Sequence, residues 1–184
     1  MLHPNFATHV PQLQPQPLSP IQLDIICEQI KSEFLLIYPE YTAIANLQYW
    51  AGCRVSELFQ PARWKIERGA YLRVTPQKGN AERLIALEEI HIDNPTHFQI
   101  IQQDMARLSQ SMYERGIKTA TLQAGLWRKY ENGYAQPSTH MFRHNRIKQM
   151  AAQGIGTQNI ATWIGEKNID NLNYYLNSLY FLSE

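Results

Sequence analysis

Between Tyr71 and Leu87 the apolar period of this 184-residue chain changes from helical to alternating, and that change sets what the chain can fold into. Tyr71-Leu72-Arg73-Val74-Thr75 alternates, Gln77-Lys78-Gly79-Asn80 supplies turn residues, and Arg83-Leu84-Ile85-Ala86-Leu87 alternates again. This reads as a β-hairpin with Lys78 at or beside its tip, on a stem that reaches outwards. The other periodic segments are helical, so the chain is expected to be α+β, mainly α-helical, with a small antiparallel hairpin or sheet.

Residues 1–18 carry Pro4, Pro11, Pro15 and Pro17 and no hydrophobic period, and are expected to form a flexible tail to a single domain at 19–184. Ser19-Pro20-Ile21-Gln22 marks a helix start, with Ser19 as N-cap, Pro20 in the first turn and Gln22 closing a capping box. That helix runs to about Ile37 and is expected to bury Ile21, Ile25, Ile26, Ile30, Phe34 and Leu35. A second spans about Tyr41 to Trp50, before Gly52, and a short helical piece carries Arg54 to Leu58. Further helices are expected from Asn94 to about Tyr113, stopped near Gly116, and from Thr121 to about Tyr130. The last three run from Ser138 to Gln153, from Thr157 to Ile164 and from Asp170 to Tyr180.

Composition removes several classes. There is no run of eighteen apolar residues and no basic, apolar opening segment, which points away from a membrane and to the cytoplasm. Cys27 and Cys53 are too few for a disulfide scaffold or a cysteine-rich zinc site. The net charge of +1 hides an uneven distribution: Arg54 to Arg83 holds seven bases against three acids, and Arg107 to Lys148 holds eight against Glu114 and Glu131. Such segregation fits one basic face for a polyanion, although solvated charge on helices is the commoner cause.

Ser138-Thr139-His140-Met141-Phe142-Arg143-His144 places His140, Arg143 and His144 at i, i+3 and i+4, on one helical face. Taken alone, this is a solvated polar face, Arg54 after Gly52 is a partner for Glu57, and Tyr174 and Tyr175 belong to the apolar stripe of a last helix. His140, His144 and Glu166 also have the composition of a zinc triad, but position 141 is Met where H-E-x-x-H has its general base.

Together the segments A-G-C-R-V-S-E-L, Q-K-G-N-A-E-R-L, H-M-F-R-H and W-I-G-E, with a tyrosine nine positions after Glu166, closely resemble the catalytic domain of the tyrosine recombinases, the phage integrase family. The resemblance covers roughly Ser19 to Glu184 and implies that family's fold. It implies Arg54 and Arg143 as the two phosphate-binding arginines, Lys78 as the hairpin lysine, His140 as the histidine and Tyr175, in preference to Tyr174, as the nucleophile. His144 is expected to be structural, and Glu57 to brace the arginine site rather than react. The implied partner is double-stranded DNA, cut and rejoined through a 3′-phosphotyrosyl link by a dimer or tetramer of protomers, with accessory DNA-bending proteins as further partners. No cofactor or metal is implied.

The chemistry suits these residue types. Two forked guanidiniums bind the non-bridging oxygens of a phosphodiester without losing their charge. A phenol is a better leaving group than an alkyl alcohol, so a phosphotyrosyl bond can be reversed by a 5′-hydroxyl.

The sequence departs from the family at two places. Glu166 stands at a site position where His or Trp is usual. A carboxylate about 4 Å from a phosphate, at an effective dielectric near 20, costs roughly 4 kcal/mol, on the order of a thousandfold in rate. Glu166 is therefore expected to turn away, to pair with a base such as Lys167, to be protonated, or to depress cleavage. Before Ser19 there is only the proline-bearing tail, where family members commonly carry a helical domain, so this is expected to be a short form or a fragment of a larger protein, whose DNA binding is weak and salt-sensitive unless several protomers assemble. A DNA-binding module of the same fold with weak or lost catalysis is the alternative function.

Overall fold

The computed structural model describes residues 16–76, 81–130, 133–135 and 139–182. Lys78 and the hairpin tip lie outside the described residues. Helix α1 (Pro20–Ile37) opens as expected: Ser19 Oγ accepts from Gln22 N at 3.3 Å, and Gln22 Oε1 accepts from Ser19 N at 2.9 Å. Its inward stripe is Leu23, Cys27, Ile30, Lys31 and Phe34. Ile21 and Ile25, expected inside, are 73% and 62% exposed. Two apolar rows run along this helix, and only packing selects between them. Leu18 donates its N–H to Tyr180 O at 2.9 Å, joining the start of the described chain to its end.

A 3-10 turn (Pro39–Tyr41) leads into α2 (Thr42–Ala51), which ends at Gly52, and α3 (Val55–Leu58) follows Arg54. The hairpin is part of a three-stranded antiparallel sheet, β1 (Trp64–Glu67), β2 (Tyr71–Val74) and β3 (Arg83–Ala86), in the order β1-β2-β3. Val74 pairs with Arg83, and Leu72 with Ile85.

The single helix expected from Asn94 is two helices, α4 (Pro95–Arg107) and α5 (Gln110–Gln123). The break is held by Tyr41, whose hydroxyl donates to Ser109 O at 3.0 Å and accepts from Ser109 N at 3.2 Å, while Ser109 Oγ caps α5. Gly116 lies inside α5 rather than ending it. A Cβ there would stand 2.5 Å from Phe34 Cε2, so the absent side chain lets α5 approach α1.

The expected helix from Thr121 to Tyr130 is instead the end of α5 and, past Gly125, strand β4 (Leu126–Tyr130), which pairs with β5 (Gly133–Ala135). The chain then forms α6 (Met141–Ala152), α7 (Thr157–Ile164) and α8 (Ile169–Asn177). The expected helical run to Tyr180 stops at Asn177, and β6 (Leu179–Leu182) adds to β4, giving a second sheet ordered β5-β4-β6. Neither β4 nor β6 has a local signal strong enough to outweigh its helical period. Pairing partners about fifty residues apart decide both.

Helix α6 is the axis of the molecule, packed against α1, α2, α7 and α8. Met141, Phe142, Arg143, His144, Asn145, Ile147 and Met150 are all buried. The solvated polar face considered from sequence is thus an interior one. Asp24 of α1 accepts from Asn145 Nδ2 at 2.8 Å and also bonds Tyr49 and Gln149, tying α1, α2 and α6 together. Among the described residues no helix is long and apolar enough to cross a membrane.

Candidate active site

Arg54 stands at the N-cap of α3, where its backbone N–H donates to Glu57 Oε2 at 2.8 Å. Its side chain is 19% exposed and crosses to Glu166, with Nη2 2.9 Å from Oε2. Arg143, from the first turn of α6, is fully buried. Its Nη1 donates to Gly52 O at 2.9 Å and Ile164 O at 3.1 Å, and its Nη2 lies 3.8 Å from the same Glu166 oxygen. The two arginines therefore converge on one carboxylate oxygen. Burial first, and then the charges of Arg54 and Arg83, push Arg143 down to about 10, so it remains cationic at neutral pH.

Beneath them lies a pair that sequence reasoning only half anticipated. Glu57 does brace the arginine, but it does so together with Arg83, which donates Nη2 to Glu57 Oε2 at 3.1 Å and Nη1 to Ile164 O at 2.8 Å. Burial alone would raise the Glu57 carboxyl; the adjacent Arg83 charge and hydrogen bonds, the Arg54 N–H and Arg143 hold it below its ordinary value. Trp64 Nε1 donates to Glu57 O at 2.8 Å and fixes the end of α3. Arg83 was legible in principle, since alternation puts it on the same face of β3 as buried Ile85.

Gln48 was missed outright. Its side chain accepts from Tyr113 Oη at 2.7 Å and donates to Thr139 O at 3.2 Å, joining α2 to the residue before His140. His140 is the N-cap of α6 and is half-buried.

Tyr175 lies on α8 with its ring centroid 5.7 Å from Arg143 Cζ and 4.5 Å from the edge-on His144 ring. His144 Nδ1 is 3.1 Å from Ser178 Oγ, which donates to Tyr175 O at 2.7 Å. This contact braces α8 at the point where the helix gives way to β6. Tyr174 is 50% exposed. Arg54, Arg143, Glu166 and Tyr175 are therefore together, His140 heads the helix that carries Arg143, and Lys78 falls outside the described residues. His144 and Glu166 are committed to separate partners, and among the described residues no three His, Cys, Asp or Glu side chains form a metal-binding group. Glu166 pairs with the two arginines rather than with Lys167.

Gly165 is what allows this closeness. It has φ of 69°, and a Cβ would meet Arg83 Nη1 at 2.7 Å and Ala81 O at 2.9 Å. Gly165→Ala is expected to lose about 1–2 kcal/mol from the left-handed backbone alone, with a further cost from the contact with Ala81. Thermal unfolding measures this loss; an unchanged melting temperature would contradict the packing described.

A helical domain in which a small sheet and a central helix bring two arginines to a tyrosine on the penultimate element has the tyrosine-recombinase catalytic-domain fold. The model described as the phage integrase family matches residues 22–180, and the chain belongs to that family. Among solved structures, XerA recombinase is 19% identical, with a TM-score of 0.56 over 91% of this chain and 60% of that one. A lambda integrase dimer bound to a COC′ core site is 16% identical, with a TM-score of 0.59 over 90% of this chain and 49% of that one. XerH bound to palindromic difH substrate, a post-cleavage complex, is 14% identical, with a TM-score of 0.57 over 88% of this chain and 49% of that one. The chain thus spans about half to three-fifths of the length of these proteins. A search of curated proteins finds no match.

Proposed function

We propose that the protein is a site-specific DNA recombinase that cleaves and rejoins DNA through a 3′-phosphotyrosyl intermediate on Tyr175. The observation that carries this reading is that Arg54 and Arg143 converge on a single anionic oxygen while the Tyr175 ring lies 5.7 Å from the Arg143 guanidinium carbon. A scissile phosphate placed there meets the Arg143 guanidinium already oriented by Gly52 O and Ile164 O, and Arg54, whose backbone is held by Glu57. Such donors stabilise charge without reorganising during the reaction. Tyr175 Oη attacks phosphorus, the phosphotyrosyl bond forms, and the bond to the 5′-oxygen breaks. Lys78 supplies the proton to that oxygen, and His140 accepts the proton that Tyr175 Oη loses and orients the tyrosine and phosphate. Rejoining is the reverse, with an incoming 5′-hydroxyl displacing Tyr175. DNA is the substrate and partner, held by two or four protomers with accessory DNA-bending proteins.

One observation favours a second reading, a DNA-binding module with little catalysis: the anion between the arginines is the chain's own Glu166. SDS-resistant capture of a randomised duplex library by wild type, Tyr175→Phe and Glu166→His separates the two. Covalent DNA on wild type and faster capture by Glu166→His, with none on Tyr175→Phe, is the expected result. Salt-sensitive binding with no covalent product from any of the three supports the binding module.

A further inference from the structure

The anion position is taken by the chain's own Glu166, which is well held. Glu166 is 8% exposed and follows Gly165 at the end of α7, where its N–H donates to Ala161 O at 2.8 Å. Oε2 faces Arg54 at 2.9 Å and Arg143 at 3.8 Å, and Oε1 accepts from Asn171 Nδ2 at 3.3 Å. Asn171 lies one turn before Tyr175 on α8, so the residue that secures the carboxylate shares a helix with the tyrosine.

The two guanidiniums have further donors that the carboxylate does not take. Arg54 Nη1 and Arg143 Nη2 and Nε are buried and make no hydrogen bond among the described residues. A carboxylate offers two oxygens, one of them given to Asn171. A tetrahedral phosphate offers two non-bridging oxygens to the two guanidiniums at once, and so fits the unused donors better.

Charge leads to the same conclusion. Arg83 is neutralised by Glu57 across a buried pair of 3.1 Å. That leaves Arg54 and Arg143 against Glu166. With the carboxylate in place the phosphate would meet one net positive charge; with it displaced, two. A phosphoryl centre under attack gathers negative charge on its oxygens, so the second state is the one suited to it.

We infer that Glu166 is a built-in competitor for the phosphate, latched by Asn171, and that an incoming phosphate must displace it from Arg54 and Arg143. This rests on the reading of those arginines as the phosphate grip, and it makes Glu166 a determinant of which phosphates gain entry. A free or weakly placed phosphate does not displace the carboxylate. A phosphate anchored by DNA contacts on either side arrives at high effective concentration and does.

The test is a titration of the full chain with inorganic phosphate, followed by NMR, for wild type, Glu166→Gln, Glu166→Asp and the double variant Arg54→Gln/Glu166→Gln. Glutamine keeps the shape and removes the charge, while aspartate keeps the charge but falls short of the arginines. Glu166→Gln is expected to bind phosphate at least tenfold more tightly than wild type, Glu166→Asp to fall in the same direction, and the double variant to lose the gain. Should Glu166→Gln fail to fold, Glu166→Asp carries the comparison. Equal affinity in wild type and both single variants, still dependent on Arg54, overturns the competitor and leaves the phosphate grip standing. Phosphate binding by the double variant equal to that of Glu166→Gln overturns both. Neither result depends on covalent capture of DNA, which tests the reaction through Tyr175 separately.

Discussion

Glu57→Ala is expected to destabilise the protein by about 3–5 kcal/mol, because it leaves Arg83 buried without its counter-charge. In a chain of this size that is a fall of roughly 6–20 °C in melting temperature. Both side chains are almost wholly buried, at 2% and 1% exposure, so neither can turn to water when the other is removed. The Arg54 backbone N–H also loses its acceptor, and the start of α3 loosens where the candidate phosphate ligand begins. Glu57→Gln isolates the charge from the shape. Because the Glu57 carboxyl is held below its ordinary value of 4.5, its contribution is present above that pH and is lost as pH falls through the lowered value. Glu57→Gln should therefore flatten the acid side of the stability curve relative to wild type. A melting temperature in Glu57→Ala equal to that of wild type would overturn the account of the buried pair.

Arg143→Lys is expected to slow single-turnover capture of DNA by roughly 10²–10³-fold, the loss seen when one preorganised donor is removed from a site that stabilises developing charge. The substitution keeps a cationic side chain yet removes the geometry. Arg143 spends Nη1 on Gly52 O and Ile164 O and still presents Nη2 towards the anion, 3.8 Å from Glu166 Oε2. A single ammonium on a flexible stem cannot serve two carbonyls and a phosphate from one point, and burial disfavours its charged form. The readout is the rate of SDS-resistant adduct formation at saturating DNA, with thermal unfolding as the control for folding. A folded Arg143→Lys that captures DNA at the wild-type rate would mean that Arg143 is structural.

Much of the candidate site was open to proposal before the fold was known, because its residue types are tied to short local spacings. Arg54 follows Gly52 by two residues, and Tyr175 follows Glu166 by nine. His140 and Arg143 are three apart on one helix. The capping box at Ser19 and the β2–β3 pairing were equally local, and both formed as expected. What failed was non-local. β4 and β6 carry helical periods and become strands because they pair with each other, Trp127 opposite Phe181.

The amino-acid sequence by itself determined which chemistry-bearing residues this protein has, their order, and the family to which they belong. Only the tertiary structure decided what Glu166 does. Turning away, pairing with a base such as Lys167, being protonated and depressing cleavage were the alternatives left open, and the carboxylate instead lies against the two arginines, because it goes where the local field and the available donors favour it most. That field is set by Arg54 and Arg143, 112 and 23 positions away, which meet only once α3, α6 and α7 have packed.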